Sequence, residues 1–130
     1  MKVGLLLLTH NDIGAQIFLA AKSVYGKITT RVEILSIDHY DQPTDLLRLA
    51  KQYVKVLDEG KGVLILTDMY GSTPSNIATE FSKYKNVKII SGINLSMLLN
   101  IFNYPSLNLD KLSKKAIEGG KEGILNLKEW

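Results

Sequence analysis

Three short apolar runs, Val3–Leu8, Val32–Ile37 and Val63–Leu66, recur along the chain with polar stretches between them. They lack the alternation of a half-exposed strand and so predict strands buried on both faces; Val87–Ile90 predicts a fourth. The intervening segments carry helical periods. Ile13, Ile17, Ala20, Ala21 and Val24 mark one predicted inward face, and Leu46, Leu49, Ala50, Tyr53 and Leu57 mark another. A third helix has a start signal, with Thr73 as cap, Pro74 at the first helical position, and Ile77, Ala78 and Phe81 following on one side. Leu95–Phe102 and Leu109–Glu118 predict two more helices, separated by Pro105 and closed by Gly119-Gly120 and Gly123. Ile124–Leu127 predicts a short C-terminal edge strand. Strands alternating with helices imply an α/β fold, a doubly wound and mainly parallel sheet with both faces covered.

Right-handed crossovers and the common doubly wound order give a strand order 2-1-3-4, whose reversal point lies between strands one and three. These two strands echo each other: Gly4-Leu5-Leu6-Leu7-Leu8-Thr9-His10 matches Gly62-Val63-Leu64-Ile65-Leu66-Thr67-Asp68 in character, one ending in His and the other in Asp. The order therefore predicts an imidazole and a carboxylate in one crevice. A carboxylate accepting the Nδ1 proton would fix the tautomer and leave Nε2 of His10 as a nucleophile. The loop Met69-Tyr70-Gly71-Ser72-Thr73-Pro74 ends at a predicted helix start, whose amides and dipole favour a phosphoryl group by about 0.3 to 1 kcal/mol. That is modest, so the hydroxyls of Ser72 and Thr73, beside the turn at Gly71, are expected to add hydrogen bonds. Phosphoryl transfer asks mainly for an aligned nucleophile and charge stabilisation, and no metal or cofactor is implied.

Composition narrows the alternatives. The 130 residues, 45% hydrophobic, suit one domain over 1–130. The net charge of +3 reads as mild and spread along the chain, without the dense basic stripe of a nucleic-acid binder. Lys111, Lys114, Lys115 and Lys121 read as a solvated helix face. No cysteine is present, which excludes disulfides, thiolate metal sites and a thiol nucleophile. Val3–Leu8 is too short for a signal h-region and no stretch approaches the roughly 20 apolar residues of a membrane helix, so a cytoplasmic protein with no membrane insertion is expected. His39, Tyr40 and Tyr70 read as loop residues, the two tyrosines partly packed on the surface.

The segments Leu8-Thr9-His10, Thr67 to Asn76 and Gly92-Ile93-Asn94-Leu95-Ser96-Met97-Leu98 resemble enzyme IIA of the mannose family of the sugar phosphotransferase system, and Gly120-Lys121-Glu122-Gly123-Ile124 resembles its closing segment. The resemblance spans nearly the whole chain. It implies that His10 accepts phosphate from the phosphocarrier HPr and passes it to a IIB domain or protein serving a sugar permease, that Asp68 orients the histidine, that Thr73 helps hold the phosphoryl group, and that Asn94 and Met97 border the site. It also implies a homodimer with the C-terminal strand at the interface. Three positions depart from the family pattern: Asn11 where glycine is usual, Ser96 where proline is common, and Tyr70 in place of another aromatic. Asn11 tolerates left-handed backbone angles, so the turn can survive. The sequence stops at Trp130 with no IIB segment attached, so the expectation is either a separate IIB chain serving transport or a regulatory role that reports phosphorylation state to a partner. Three rivals are weaker. A receiver domain phosphorylated on Asp68 lacks the acid cluster that magnesium needs after strand one, where Thr9-His10-Asn11 stands. A nucleotide or flavin module lacks a glycine-rich phosphate fingerprint. A pure interaction module would leave His10 unlabelled.

Overall fold

The computed structural model describes residues 1–128. In chain order the elements are β1 (Gly4–His10), α1 (Ile13–Tyr25), β2 (Val32–Ile37), α2 (Pro43–Leu57), β3 (Val63–Thr67), α3 (Thr73–Thr79), β4 (Val87–Ser91), α4 (Leu95–Asn103) and α5 (Leu109–Glu122). The four strands are parallel in the order β2-β1-β3-β4, as expected from the sequence. Each strand's apolar residues divide by parity between two cores. Leu5, Leu7, Leu64 and Leu66 pack beneath α1, α4 and α5 with Leu98, Ile101 and Phe102. Leu6, Leu8, Val63 and Ile65 pack beneath α2 and α3 with Leu46, Ala50, Ile77 and Phe81. This two-sided burial is why the strands read as continuous apolar runs.

The two echoing strands are direct neighbours, with Gly4 opposite Val63 and Leu8 opposite Thr67. The pairing is offset by one residue from the echo, so Asp68 does not sit squarely across from His10. β3 ends at Thr67, which frees Asp68 to reach diagonally.

Three helical expectations need correction. α1 is rotated from its predicted face: Gly14 and Ala21 are its buried residues, while Ile13 and Val24 are exposed. The cause lies in the strand before it. The buried Thr9 accepts the Gly14 amide on Oγ1 at 2.8 Å, pulling that small residue down, and a Cβ on Gly14 would come within 2.9 Å of the same oxygen. α3 begins one place earlier than predicted, with Ser72 as N-cap and Pro74 among the first two helical positions. α5 runs through Gly119 and Gly120 to Glu122 instead of stopping before them. These glycines serve close packing: a Cβ on Gly119 would lie 2.5 Å from Asn100 Cβ, and one on Gly120 would lie 2.8 Å from Met97 Cε. Contact with α4 outweighs the propensity cost of about 1 kcal/mol for each glycine.

The C-terminal edge strand over Ile124–Leu127 does not form within the chain, and Ile124, Leu125 and Leu127 are exposed. A strand is held by a ladder to a neighbour. The backbone bonds of this segment are local instead, Gly123 N to Gly119 O and Ile124 N to Lys121 O. Among the described residues no helix is long and apolar enough to cross a membrane.

Candidate functional site

β1 delivers His10 to the carboxyl end of the sheet, where the chain turns sharply into α1. Asn11 takes φ of 42°, the left-handed conformation that asparagine accepts more readily than most residues. Its amide donates to Ile37 O of β2 at 2.8 Å, which ties the turn to the neighbouring strand. With Thr9 bonded to Gly14, the residues on both sides of His10 are anchored.

Asp68 meets the histidine through two hydrogen bonds on one oxygen. Oδ2 lies 2.8 Å from His10 Nδ1 and accepts the His10 main-chain amide at 3.1 Å, while Oδ1 accepts the Met69 amide at 3.1 Å. An ionised carboxylate only accepts, so the ring proton belongs on Nδ1 and the Nε2 lone pair is left over. The Asp68 side chain is 10% exposed and that of His10 is 37% exposed, so the acid is sheltered while the ring reaches solvent. Burial pushes the Asp68 carboxyl up, but the bonds from the His10 ring and amide and from its own backbone, with the electrostatic pull of His10, outweigh it and hold the group below its ordinary 3.8.

The loop after Asp68 is more self-contained than the sequence suggested. Gly71 has φ of 81°, and its amide donates to Ser75 Oγ at 3.3 Å. Ser72 is buried, and its hydroxyl donates to Met69 O at 2.5 Å, so its proton is used inside the loop. Of the two hydroxyls expected to reach a phosphoryl group, Thr73 is the one left exposed.

Asn94 and Met97 lie on the segment that follows β4. Asn94 Oδ1 accepts the Met97 amide at 2.9 Å and Nδ2 donates to Gly120 O at 3.1 Å, so this residue caps α4 and straps it to α5. Met97 is buried in the core against Gly120. His39 stacks on Tyr40 with ring centroids 4.0 Å apart, in the turn after β2. Neither tyrosine is packed as expected: Tyr40 is 79% and Tyr70 86% exposed. Thr9 is the residue that sequence reasoning missed. Its signal was a polar side chain at the end of a fully apolar strand.

A family model described as "PTS system fructose IIA component", EIIA-man, matches residues 4–117. The chain belongs to this family. The IIA chain is 29% identical over 133 aligned residues to the mannose-specific EIIAB component of Escherichia coli strain K12, an alignment covering 98% of this chain and 40% of that one. The IIA chain thus spans about two fifths of that relative's length. It is also 29% identical over 112 residues to the transcriptional regulatory protein LevR of Bacillus subtilis, across 83% of this chain and 12% of LevR. The crystal structure of phosphotransferase system component EIIA from Streptococcus agalactiae superposes with a TM-score of 0.82 at 25% identity, over 98% of this chain and 99% of that one. This mannose-family IIA component therefore has the four-stranded parallel fold of solved IIA proteins.

Proposed function

We propose that this chain is a phosphocarrier: His10 accepts a phosphoryl group from HPr and passes it to a IIB domain or protein. The observation that carries the reading is the 2.8 Å contact between His10 Nδ1 and Asp68 Oδ2. The Nε2 lone pair attacks phosphorus, and the P–N bond forms as the bond between phosphorus and its donor breaks. The ring keeps its Nδ1 proton and becomes cationic, and the adjacent carboxylate offsets that charge. Onward transfer reverses the step and restores the neutral ring. Thr73 supplies the exposed hydroxyl to the phosphoryl oxygens, Gly71 shapes the loop, and Asn94 with Met97 fixes the α4 end of the site's border. The exposed apolar tail Ile124–Leu127 supports a homodimer in which this segment lies at the interface. A cytoplasmic location suits an exchange with phosphocarrier proteins.

A regulatory reading is favoured by one observation, the 29% identity to LevR, whose name makes it a transcriptional regulator. In that reading the same phosphorylated His10 reports phosphorylation state to a partner instead of feeding a permease. The test common to both is incubation with phosphoenolpyruvate, enzyme I and HPr. Acid-labile, base-stable label on the parent chain and none on His10→Ala is the expected result. Hydroxylamine-released label would instead indicate an acyl phosphate on Asp68. Passage of the label to a purified IIB protein distinguishes transport from reporting.

A further inference from the structure

We infer that the end of the molecule opposite His10 is a lysine-rich surface that rests on an anionic lipid bilayer and leaves His10 facing the water. All four strands are parallel, so the segments preceding them share one end of the sheet and the segments following them share the other. No lysine or arginine occurs in 3–21, 32–47, 62–82 or 89–110, the stretches that carry the carboxyl ends of all four strands. Positive charge that is spread along the sequence is therefore gathered by the fold toward the amino ends of the strands.

Segments 1–3, 26–31, 58–62, 80–88 and 104–111 build this surface and hold eight Lys and Arg against four Asp and Glu. The start of α5 belongs to it, since Asp110 meets Lys88 at 3.8 Å and a Cβ on Gly62 would come 3.0 Å from Leu109 Cδ2. Three of the four carboxylates are already engaged. Asp58 accepts the Gly60 and Gly62 amides and the Asn86 side-chain amide, Glu59 faces Arg31 at 3.9 Å, and Asp110 is shared by Lys88 and Lys114. Lys27, Lys61, Lys83, Lys85 and Lys111 are exposed and form no ion pair among the described residues. At the other pole Asp12, Asp38 and Asp41 are likewise exposed and unpaired. A negative plane attracts one end of such a molecule and repels the other, which orients it.

The kind of cation selects a bilayer over a protein or a nucleic acid. Seven of the eight are lysine, and the one arginine, Arg31, is held by Val56 O at 3.1 Å and by Glu59. Lysine is a compact, hydrated point charge, depleted at protein interfaces and unsuited to bidentate recognition, whereas attraction to a layer of anionic headgroups needs only charge near the surface. The five unpaired lysines sit on four separate segments, so they form a broad face instead of the stripe that tracks a nucleic-acid backbone. Tyr84 stands among them, 41% exposed, with its ring centroid 5.2 Å from that of the buried Phe81. A ring with one side anchored and its hydroxyl end outward suits the headgroup level.

The test is cosedimentation of the full-length chain with vesicles of phosphatidylcholine, either alone or mixed with phosphatidylglycerol. The parent is compared with Lys61→Gln/Lys83→Gln/Lys85→Gln and with Arg48→Gln/Lys121→Gln/Lys128→Gln, which loses the same charge elsewhere; thermal melts check that each chain is folded. The parent is expected to bind the anionic vesicles alone and to be released by salt. Each lysine near an anionic surface adds roughly fivefold to the partition coefficient, so the first variant should bind about a hundredfold more weakly and the second within a few-fold of the parent. Because the chain has no cysteine, a polarity-sensitive fluorophore can be attached at Ser82→Cys on the lysine surface or at Gln42→Cys on the His10 side. Only the label at position 82 should report a drier environment on anionic vesicles. Absence of binding at low salt, equal binding to neutral vesicles, equal losses in the two triple variants, or a response at position 42 in place of 82 would each overturn the inference. So would displacement of the chain from vesicles by duplex DNA or polyglutamate at matched charge, which would assign the surface to a nucleic acid or an acidic protein.

Discussion

Asp68 Oδ2 stands 2.8 Å from His10 Nδ1 although 58 positions separate the two residues in sequence. The same oxygen holds the His10 backbone amide, so ring and main chain are fixed against one acceptor. Two neighbouring parallel strands make the meeting possible, and the early end of β3 gives the aspartate the freedom to complete it.

Removing the charge should cost rate while leaving the chain folded at neutral pH. Asp68→Asn is expected to slow phosphorylation of His10 by about 10²- to 10⁴-fold, the usual range for acid–base assistance. Single-turnover labelling by phospho-HPr measures it. Parental rates in this variant would show that the aspartate does not orient the ring.

Thr9 offers a way to disturb the turn without touching either reacting residue. Thr9→Val keeps the shape but strands the Gly14 amide, whose acceptor is Thr9 Oγ1. A loss of about 0.5 to 2 kcal/mol is expected, as for other lost helix caps. Urea unfolding reads this value, and an unchanged midpoint would mean the α1 start is held by something else.

Gly119→Ala separates two explanations by sign. In an independent helix the change should stabilise by up to about 1 kcal/mol, because alanine is the better helix former. Here the new Cβ would lie 2.5 Å from Asn100 Cβ, so overpacking predicts a loss of about 1 to 3 kcal/mol. Thermal or chemical denaturation decides between them.

How far the fold could be read from sequence follows from which forces are local. Strand order, the Nδ1 contact and the left-handed Asn11 were legible, because buried runs, crossover handedness and backbone sterics depend little on distant partners. The glycines of α5 were misread as a stop signal, since only α4, with Asn100 and Met97 facing them, reveals that they allow close approach. The tail over Ile124–Leu127 carries the composition of a strand but has no sheet edge beside it within one chain. Ser72 carried the right hydroxyl for a phosphoryl contact, yet the Met69 carbonyl lies nearer in the folded loop.

Acid should weaken the fold partly through two carboxylates. Burial opposes ionisation of Asp68, but its bonds from His10 prevail; for Asp58 the Asn86 side chain and the Gly60 amide lead, and both groups sit below the ordinary 3.8. The unfolded chain therefore binds protons first as pH falls. The stability each group contributes is present above 3.8 and is lost as pH falls toward its lowered folded value. Relative to the parent, Asp58→Asn and Asp68→Asn should each flatten the acid limb of stability against pH below about that value. Limbs that superpose on the parent's would contradict the assignment.

The position of the phosphorus on the ring tests the central claim most directly. Chains labelled with ¹⁵N histidine, phosphorylated through HPr and followed by ³¹P and ¹⁵N NMR, should show the phosphoryl group on Nε2 of His10, with Nδ1 still protonated. Phosphorus on Nδ1, or on any residue other than His10, would contradict the account.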